Sequence, residues 1–224
     1  MTQPEIIYED EAILVCHKPA GVATQTKRLG QKDMESILKN YIAANNRKAG
    51  RTQPPYIGIV HRLDQPVEGL LVLAKTKDAA AILSAGLRGG DFAKEYLAVV
   101  TGVTEASGTL VHALKKDGRT NTSAVVAAGT AGGKEARLSY ERLATADEKS
   151  LLRIRLDTGR HHQIRVQFAA IGYPLLGDAK YGSAQTGQPL ALCSCRLTFM
   201  HPRTGEVMEF HTKPTGAGFV GMIT

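Results

Sequence analysis

The sequence predicts an α+β protein whose sheet is largely antiparallel or mixed. β-prone runs dominate the chain, only three segments show helical spacing, and strands do not alternate with helices in the rhythm of a parallel sheet. At 224 residues, the chain is long enough to bury a substantial core, either as one large domain or as two lobes that share a cleft.

Ten short runs of β-prone residues are predicted strands. In chain order they cover residues 6–8, 12–17, 58–60, 70–74, 95–100, 123–127, 137–143, 151–156, 190–199 and 206–211. The Gly-rich stretch 127–133 predicts a flexible surface loop. It does not match a phosphate-binding loop, because Glu135 stands where Ser or Thr must hold magnesium.

Three segments between these strands are predicted helices. The first, 33–46, has Asp33 as its N-cap and apolar side chains at helical spacing. The second, 78–87, ends before a pair of glycines. The third, 162–171, ends at Gly172, and Pro174 follows shortly after it.

The net charge and the cysteine pattern indicate which kind of partner the protein binds and in which compartment it works. The net charge of +7, from 28 Lys and Arg against 21 Asp and Glu, is compatible with a polyanionic partner such as nucleic acid. The polar, acidic start is unlike a signal peptide, and no apolar run approaches the span of a bilayer. Cys193-Ser194-Cys195 lacks the second ligand pair of a structural zinc site, so these cysteines and Cys16 are expected to be free thiols in the cytoplasm.

The segment His61-Arg62-Leu63-Asp64 places a carboxylate beside a guanidinium. A turn rich in Pro and Gly and then the apolar run 70–73 follow it, which is the pattern of a loop leading into a strand. Loops held at a sheet edge often carry catalytic groups. An Asp in a loop is nevertheless most often solvated or turn-forming, so Asp64 needs support from other segments.

Two further segments supply that support, namely Lys94-Glu95-Tyr96-Leu97 and Leu156-Asp157-Thr158-Gly159-Arg160-His161-His162-Gln163-Ile164-Arg165. With these residues the chain closely resembles the RluA-type family of RNA pseudouridine synthases. Further matches occur at Lys18-Pro19-Ala20-Gly21, Gly172-Tyr173-Pro174-Leu175-Leu176-Gly177-Asp178, Tyr181-Gly182 and Leu197-Thr198-Phe199-Met200-His201-Pro202. The ordered matches cover nearly the whole chain, which makes the resemblance specific.

The resemblance implies three catalytic residues: Asp64, Tyr96 and Arg165. Asp64 matches the family's catalytic carboxylate, in a reaction that detaches uracil from its ribose, turns the base and rejoins it through C5 without a cofactor. Arg165 matches the Arg that pairs with this Asp, and Tyr96 matches the Tyr whose ring lies against the target base. Taken singly, Arg165 would be expected to face solvent on an amphipathic helix, and Tyr96 to pack in a β core.

The resemblance also implies contacts with RNA. Arg62 matches the residue that enters the RNA stack and holds the target nucleotide out, a step that chemistry on a stacked base requires. His61 could stack or hydrogen-bond in the same place, although a lone His before a strand is usually structural. Leu63 and Ile164 are expected to form apolar walls, and Lys94 to order the site or to contact RNA.

The implied architecture is the pseudouridine synthase fold, a single domain over 1–224. It has a long mixed sheet in two lobes, a central cleft and a few flanking helices. The implied substrates are stem-loops of tRNA or rRNA, bound by a monomer that needs no protein partner and lies off the membrane. Lys18-Pro19 comes so early that no N-terminal RNA-binding module of the S4 type is expected. No metal is expected at His161-His162, because adjacent helix positions face different ways and no carboxylate partner is evident.

The sequence departs from the family directly after Asp64. Val67-Glu68-Gly69 replaces the usual Thr-Ser-Gly, and Glu68 is expected to point away or to pair with a basic side chain. His161 stands where Thr is common, and Gln167 where His is frequent. Two alternatives follow: a non-catalytic RNA-binding or RNA-remodelling protein of the same fold, and a glycoside hydrolase that uses Asp64 and Glu68 as its carboxylate pair.

Overall fold

The computed structural model describes residues 5–27, 30–182 and 187–223. The chain divides into two compact units. Unit 1 consists of Met1–Ala93 with Ser194–Lys213, and unit 2 consists of Lys94–Cys193 with Pro214–Thr224.

Unit 1 is built on a sheet with strand order β1-β2-β4-β10-β11, and β3 adds to β4. The strands are β1 (Glu5–Glu9), β2 (Ile13–Lys18), β3 (Gly58–Ile59), β4 (Glu68–Ala74), β10 (Leu192–Met200) and β11 (Val207–His211). The pairs β1–β2, β2–β4, β3–β4 and β10–β11 are antiparallel. Two helices belong to this unit: α1 (Met34–Lys48) and α2 (Lys77–Gly89).

Alternate side chains of β2 and β4 enter two separate hydrophobic clusters. Ile13 and Val15 lie in one cluster with residues of α2, whereas Leu14 and Cys16 lie in the other with residues of α1. Both faces of these strands are therefore covered, which explains why every residue of β4 is buried and why its sequence is continuously apolar after Glu68. The clusters fix β4, and with it the position of the loop that contains Asp64.

Both helices of unit 1 begin at side-chain caps. The Asp33 carboxylate accepts a hydrogen bond from the Ser36 backbone N–H (2.8 Å), and Ser36 Oγ accepts one from the Asp33 N–H (3.1 Å), which forms a capping box. Thr76 caps α2 by accepting from the Ala79 N–H at 3.1 Å. The N-cap predicted at Asp33 is thus confirmed.

Unit 2 contains an antiparallel sheet with strand order β5-β9-β8-β6-β7. Its strands are β5 (Phe92–Thr101), β6 (Ser107–Asp117), β7 (Thr122–Val126), β8 (Lys134–Ala146) and β9 (Lys149–Leu156). Helix α3 (Gln163–Ala170) packs on this sheet, where Val166 contacts Leu114 and Ala136. A short 3-10 helix, Ala217–Phe219, lies near the end of the chain.

The α+β class is confirmed, and all ten predicted strands and three predicted helices are present. One strand, β6, was not predicted. Its sequence includes Gly, Ala, Lys and Asp, which have low β-propensity, and only Leu114 in it is buried. Its position depends on hydrogen bonds with β7 and β8, which a single run of sequence cannot reveal. Within the described residues, no helix is long and apolar enough to cross a membrane.

Candidate active site

Asp64 lies in a loop between β3 and β4. His61 and Leu63 are buried, Arg62 is exposed and Asp64 is half-buried. This alternation is typical of an extended chain in which one set of side chains anchors the segment and the other faces outward. Arg62 therefore lies at the surface, two residues before the partly accessible carboxylate of Asp64.

Hydrogen bonds fix the backbone on both sides of Asp64. Thr24 Oγ1 accepts from the Leu63 N–H (3.1 Å) and donates to the Leu63 carbonyl (2.9 Å). On the other side, the Gly21 N–H donates to the Gln65 carbonyl (2.9 Å), and Gln65 Nε2 donates to the Gly21 carbonyl (3.0 Å). The loop after β2 thus holds the Asp64 loop in one conformation.

Lys18 strengthens this attachment from the interior. Its side chain is fully buried, and its Nζ donates to three backbone carbonyls, those of Pro19 (3.0 Å), Val22 (2.6 Å) and Gln65 (3.2 Å). Burial lowers the pKa of Lys18 to about 8, and the negative charges of Asp64 and Glu68 oppose that effect. Lys18 therefore provides both a mechanical anchor and a positive charge that acts on Asp64.

Glu68, which stands in place of the usual Ser of the motif, is buried in unit 1. Glu68 is only 3% exposed, and its Oε2 lies 3.9 Å from Nε2 of His17. Its charge also acts on Lys18, in agreement with the expectation that it turns away or pairs with a basic side chain. Gly69 is required next to it, because its φ is +114° and a Cβ there would lie 2.3 Å from the Ser194 carbonyl oxygen.

His61 is placed differently from the RNA-contacting role expected for it. Its ring is 7% exposed, its Nε2 accepts a hydrogen bond from the Val72 N–H (3.2 Å), and it packs edge-on against Phe92 at 5.3 Å. These contacts favour the structural alternative stated for a lone His before a strand. Leu63 is 5% exposed, and its expected role as an apolar wall stays a prediction.

Tyr96 lies on β5 in unit 2 and is 6% exposed. It pairs with Ile154 of β9, which in turn pairs with Tyr140 of β8, so the three side chains share one face of the sheet. Tyr140 packs edge-on against Phe168 of α3 at 5.3 Å, which identifies this face as the one that α3 covers. Tyr96 and α3 are thus on the same side of unit 2.

Lys94 lies on the same strand face as Tyr96, two residues earlier. Its side chain is half-buried, and burial lowers its pKa. The Nζ atom reaches the turn before α3, because a Cβ on Gly159 would lie 3.3 Å from it. The structure therefore brings together two segments that the sequence analysis singled out separately.

The structure corrects the expectation that His161 and His162 face different ways as adjacent helix positions. The helix begins at Gln163, and His162 precedes it with φ of 54° in the left-handed region. Because His162 lies outside the helix, its ring stacks on that of His161, with centroids 3.8 Å apart, and the two rings do not face different ways. Across residues 5–27, 30–182 and 187–223, no group of three or more His, Cys, Asp or Glu side chains could hold a metal ion.

Arg165 is buried in α3, so the solvent-facing alternative for it is wrong. It is 3% exposed, and its Nε and Nη2 atoms donate to Oδ2 (2.8 Å) and Oδ1 (2.7 Å) of Asp178. Although burial acts to raise the pKa of Asp178, hydrogen bonds from Arg165 and the N–H groups of Lys180 and Tyr181 lower it below its ordinary value. Pairing of Arg165 with Asp64 stays a prediction. Ile164, the preceding residue, is 4% exposed.

Sequence reasoning did not assign roles to several residues that shape this region. Lys18, Asp178 and Tyr181 lie in motifs that carried the family resemblance, so a signal for them was present. Thr24 lies outside every motif, and its role depends on a contact 39 residues away in sequence. A single sequence contains no indication of such a contact.

Comparison with known proteins agrees with this fold and these motifs. Residues 12–170 match the family model described as RNA pseudouridylate synthase. "Ribosomal large subunit pseudouridine synthase D" of Vibrio cholerae is 35% identical over 92% of this chain and 66% of its own length. The protein of the same name from Pseudomonas aeruginosa is 39% identical over 93% of this chain and 67% of its own length.

Solved structures share the fold. "Human RNA Pseudouridylate Synthase Domain Containing 4" has a TM-score of 0.76 at 21% identity, over 94% of this chain and 89% of that one. "Human RNA Pseudouridylate Synthase Domain Containing 1" has a TM-score of 0.74 at 24% identity, over 94% of this chain and 83% of that one. The pseudouridine synthase fold is thereby confirmed.

The sequence matches show the family of this chain as well as its fold. The chain belongs to the RNA pseudouridylate synthase family, and its assignment to the RluA type is confirmed. It spans about two thirds of the length of the curated relatives named above.

Proposed function

We propose that this protein is an RNA pseudouridine synthase that isomerises specific uridines of ribosomal RNA or tRNA. Large-subunit ribosomal RNA is the first substrate to test, because the curated relatives are named for the large ribosomal subunit. Both units belong to one catalytic domain, 1–224, which works in the cytoplasm as a monomer, without a cofactor or an obligatory protein partner. Its RNA targets are stem-loops, whose loop bases are already partly unstacked.

One observation carries this proposal: the Asp of the family motif is a partly accessible carboxylate on a loop fixed from both sides. Asp64 is half-buried, Thr24 holds the residue before it, and Lys18 and Gly21 hold the residue after it. Fixed groups lower the cost of reaching the reactive geometry. A loosely held surface Asp would not have three separate anchors.

The reaction needs only acid–base and nucleophilic chemistry. The N1–C1′ bond of uridine breaks, the C5–C1′ bond forms, C5 loses its proton and N1 gains one. The Asp64 carboxylate acts on the sugar or on the base as nucleophile, base or electrostatic stabiliser. Lys18 supplies a buried positive charge that interacts with Asp64.

Other residues bind and orient the substrate. Arg62 is exposed beside Asp64 and is suited to replace an unstacked base and to contact phosphate. Tyr96 offers a ring for the flipped uracil, and Arg165 provides a buried, fixed guanidinium. Leu63 and Ile164 supply apolar walls, while Lys94 orders the turn at Gly159.

A conversion assay tests the proposal. Unmodified transcripts of large-subunit ribosomal RNA and of tRNA are incubated with the wild-type protein, with Asp64→Asn and with Asp157→Asn. Asp157 is an exposed aspartate of unit 2 and serves as the matched control. Wild type and Asp157→Asn should form pseudouridine at similar rates, and Asp64→Asn should form none. Product from Asp64→Asn at the wild-type rate would overturn the proposal, and RNA binding without product by the wild type would favour a non-catalytic RNA-binding protein.

A further inference from the structure

The loop after α3 carries two residues, Asp178 and Tyr181, to which the proposed reaction assigns no role. Glycines flank them, and the backbone requires these glycines. Gly177 has φ of +75°, and a Cβ on it would lie 2.2 Å from the Pro189 carbonyl oxygen; a Cβ on Gly182 would lie 2.6 Å from the Asp178 carbonyl oxygen. The loop is therefore closed tightly around Asp178 and Tyr181.

Both residues act on the guanidinium of Arg165. The two-pronged pair with Asp178, at 2.7 and 2.8 Å, fixes the guanidinium within its own plane. The Tyr181 ring covers the guanidinium, with Cζ of Arg165 5.2 Å from the ring centroid. The ion pair with Asp178 restrains rotation of the guanidinium in its plane, and the Tyr181 ring restrains its tilting out of that plane.

Asp178 and Tyr181 are themselves fixed. Oδ1 of Asp178 also accepts from the N–H groups of Lys180 (2.9 Å) and Tyr181 (3.2 Å). The Tyr181 hydroxyl accepts from the Ser123 N–H (2.8 Å) and lies 2.7 Å from Nδ1 of His162. The support for Arg165 therefore extends to β7 and to the start of α3.

Stability alone does not account for this arrangement. A buried ion pair is often no more stabilising than apolar side chains of similar volume, because desolvation offsets the attraction. The side chains of Arg165 and Asp178 are only 4% and 0% exposed, so this pair is fully subject to that cost. A guanidinium held in two directions is better explained by a need for exact orientation than by a gain in stability.

We propose that Asp178 is a positioning residue that orients Arg165 for the isomerisation, with Tyr181 as its second support. This inference rests on the proposed function, because it concerns the rate of that reaction. Asp178 acts through Arg165 and touches neither the RNA nor the reacting atoms. Its loss should therefore lower the rate of the bound complex and leave RNA affinity almost unchanged.

Single-turnover conversion of an unmodified large-subunit ribosomal RNA transcript tests this inference. Asp178→Asn should lower the rate constant about 10²-fold, because a small misplacement of a catalytic group has an effect of that size. Its Kd for the same RNA, measured by fluorescence anisotropy, should match that of the wild type. Asp178→Glu should recover part of the rate. Asp157→Asn, which breaks the exposed pair with Arg137 (3.0 Å), should leave it unchanged.

Two further measurements separate positioning from folding. Tyr181→Leu removes the ring over the guanidinium of Arg165 but leaves the ion pair with Asp178, so it should slow conversion. This variant still tests the positioning of Arg165 if Asp178→Asn does not fold. Combining Asp178→Asn with Arg165→Lys should add little to the loss that Arg165→Lys causes alone, since both changes act through one group. All rates are measured below the unfolding midpoint of each variant.

The outcomes distinguish this inference from the proposed function. A folded Asp178→Asn protein that converts RNA at the wild-type rate, or that loses only RNA affinity, would overturn the role of Asp178 alone. A wild-type protein that forms no pseudouridine would overturn the proposed function itself.

Discussion

Asp64 depends on side chains that carry no reactive role of their own. The Thr24 hydroxyl makes two hydrogen bonds to the backbone of Leu63, and Nζ of Lys18 donates to the carbonyl of Gln65. Both anchoring side chains are buried, so solvent cannot replace these bonds without opening the loop. At the scale of single residues, we therefore expect the proposed activity to be sensitive to substitutions that do not touch the carboxylate.

Thr24→Val should lower both stability and activity. The change keeps the volume but leaves the buried N–H and carbonyl of Leu63 without their partner, which costs about 1–3 kcal/mol. Urea unfolding and single-turnover conversion measure the two effects. Thr109→Val, on an exposed position of β6, should change neither. Equal behaviour of the two valine variants would contradict the anchoring role of Thr24.

Lys18 should make stability depend on alkaline pH. Because burial lowers its folded pKa to about 8, the unfolded chain binds more protons than the folded one between about pH 8 and the ordinary Lys value. The free energy of unfolding should therefore rise through that window, by about 1 kcal/mol per pH unit near pH 9, relative to Lys18→Met. Urea titrations of both proteins from pH 7.5 to 9.5 measure this difference, and parallel pH profiles would contradict it.

The family motifs predict which residues form the site, and the structure shows surroundings that these motifs did not reveal. Burial of Arg165 against Asp178 could not be predicted, because it depends on a contact between separate segments, whereas the structural alternative for His61 was already open from the sequence. The expected surroundings of Glu68 were correct, since a carboxylate next to Asp64 had to turn away or meet a basic group. Residue exposure was thus difficult to infer from the sequence, and the roles of the site residues stay predictions.

At the scale of elements, the two-sided burial of β4 was visible in the sequence as a continuous apolar run. The strand β6 was not visible, because its exposed face and low-propensity residues resemble a loop. The start of α3 was misplaced by one residue, since the left-handed conformation of His162 leaves no clear mark in a polar segment. The buried strand β4 was thus predictable from its own residues, whereas β6, which depends on its neighbouring strands, was not.

Gly69→Ala should strongly destabilise unit 1. Its φ of +114° is unfavourable for Ala, and a Cβ would collide with the backbone of Ser194 on β10 at 2.3 Å. We expect a loss of about 3 kcal/mol or more, measured as the free energy of unfolding in urea. Gly118→Ala is the matched control, because nothing lies within 4 Å of a Cβ there. A Gly69→Ala protein as stable as the control would contradict the close approach of β4 and β10.

At the scale of the whole molecule, the net charge of +7 is consistent with a polyanionic substrate. Binding that depends on phosphate contacts releases counterions, so RNA affinity should fall steeply with salt. We expect a loss of at least about tenfold between 50 and 200 mM salt, measured by anisotropy with a labelled stem-loop. An affinity that does not change with salt would contradict phosphate contacts as the main source of binding.

The role of Asp64 in isomerising uridine in cellular RNA can be tested in cells that lack the gene, complemented with the wild-type protein or with Asp64→Ala. The measurement is a map of pseudouridine in all tRNA and rRNA from these cells. We expect one or a few sites to lose pseudouridine in the deletion strain, the wild type to restore them and Asp64→Ala not to restore them. Identical maps with and without the gene, or full restoration by Asp64→Ala, would contradict it.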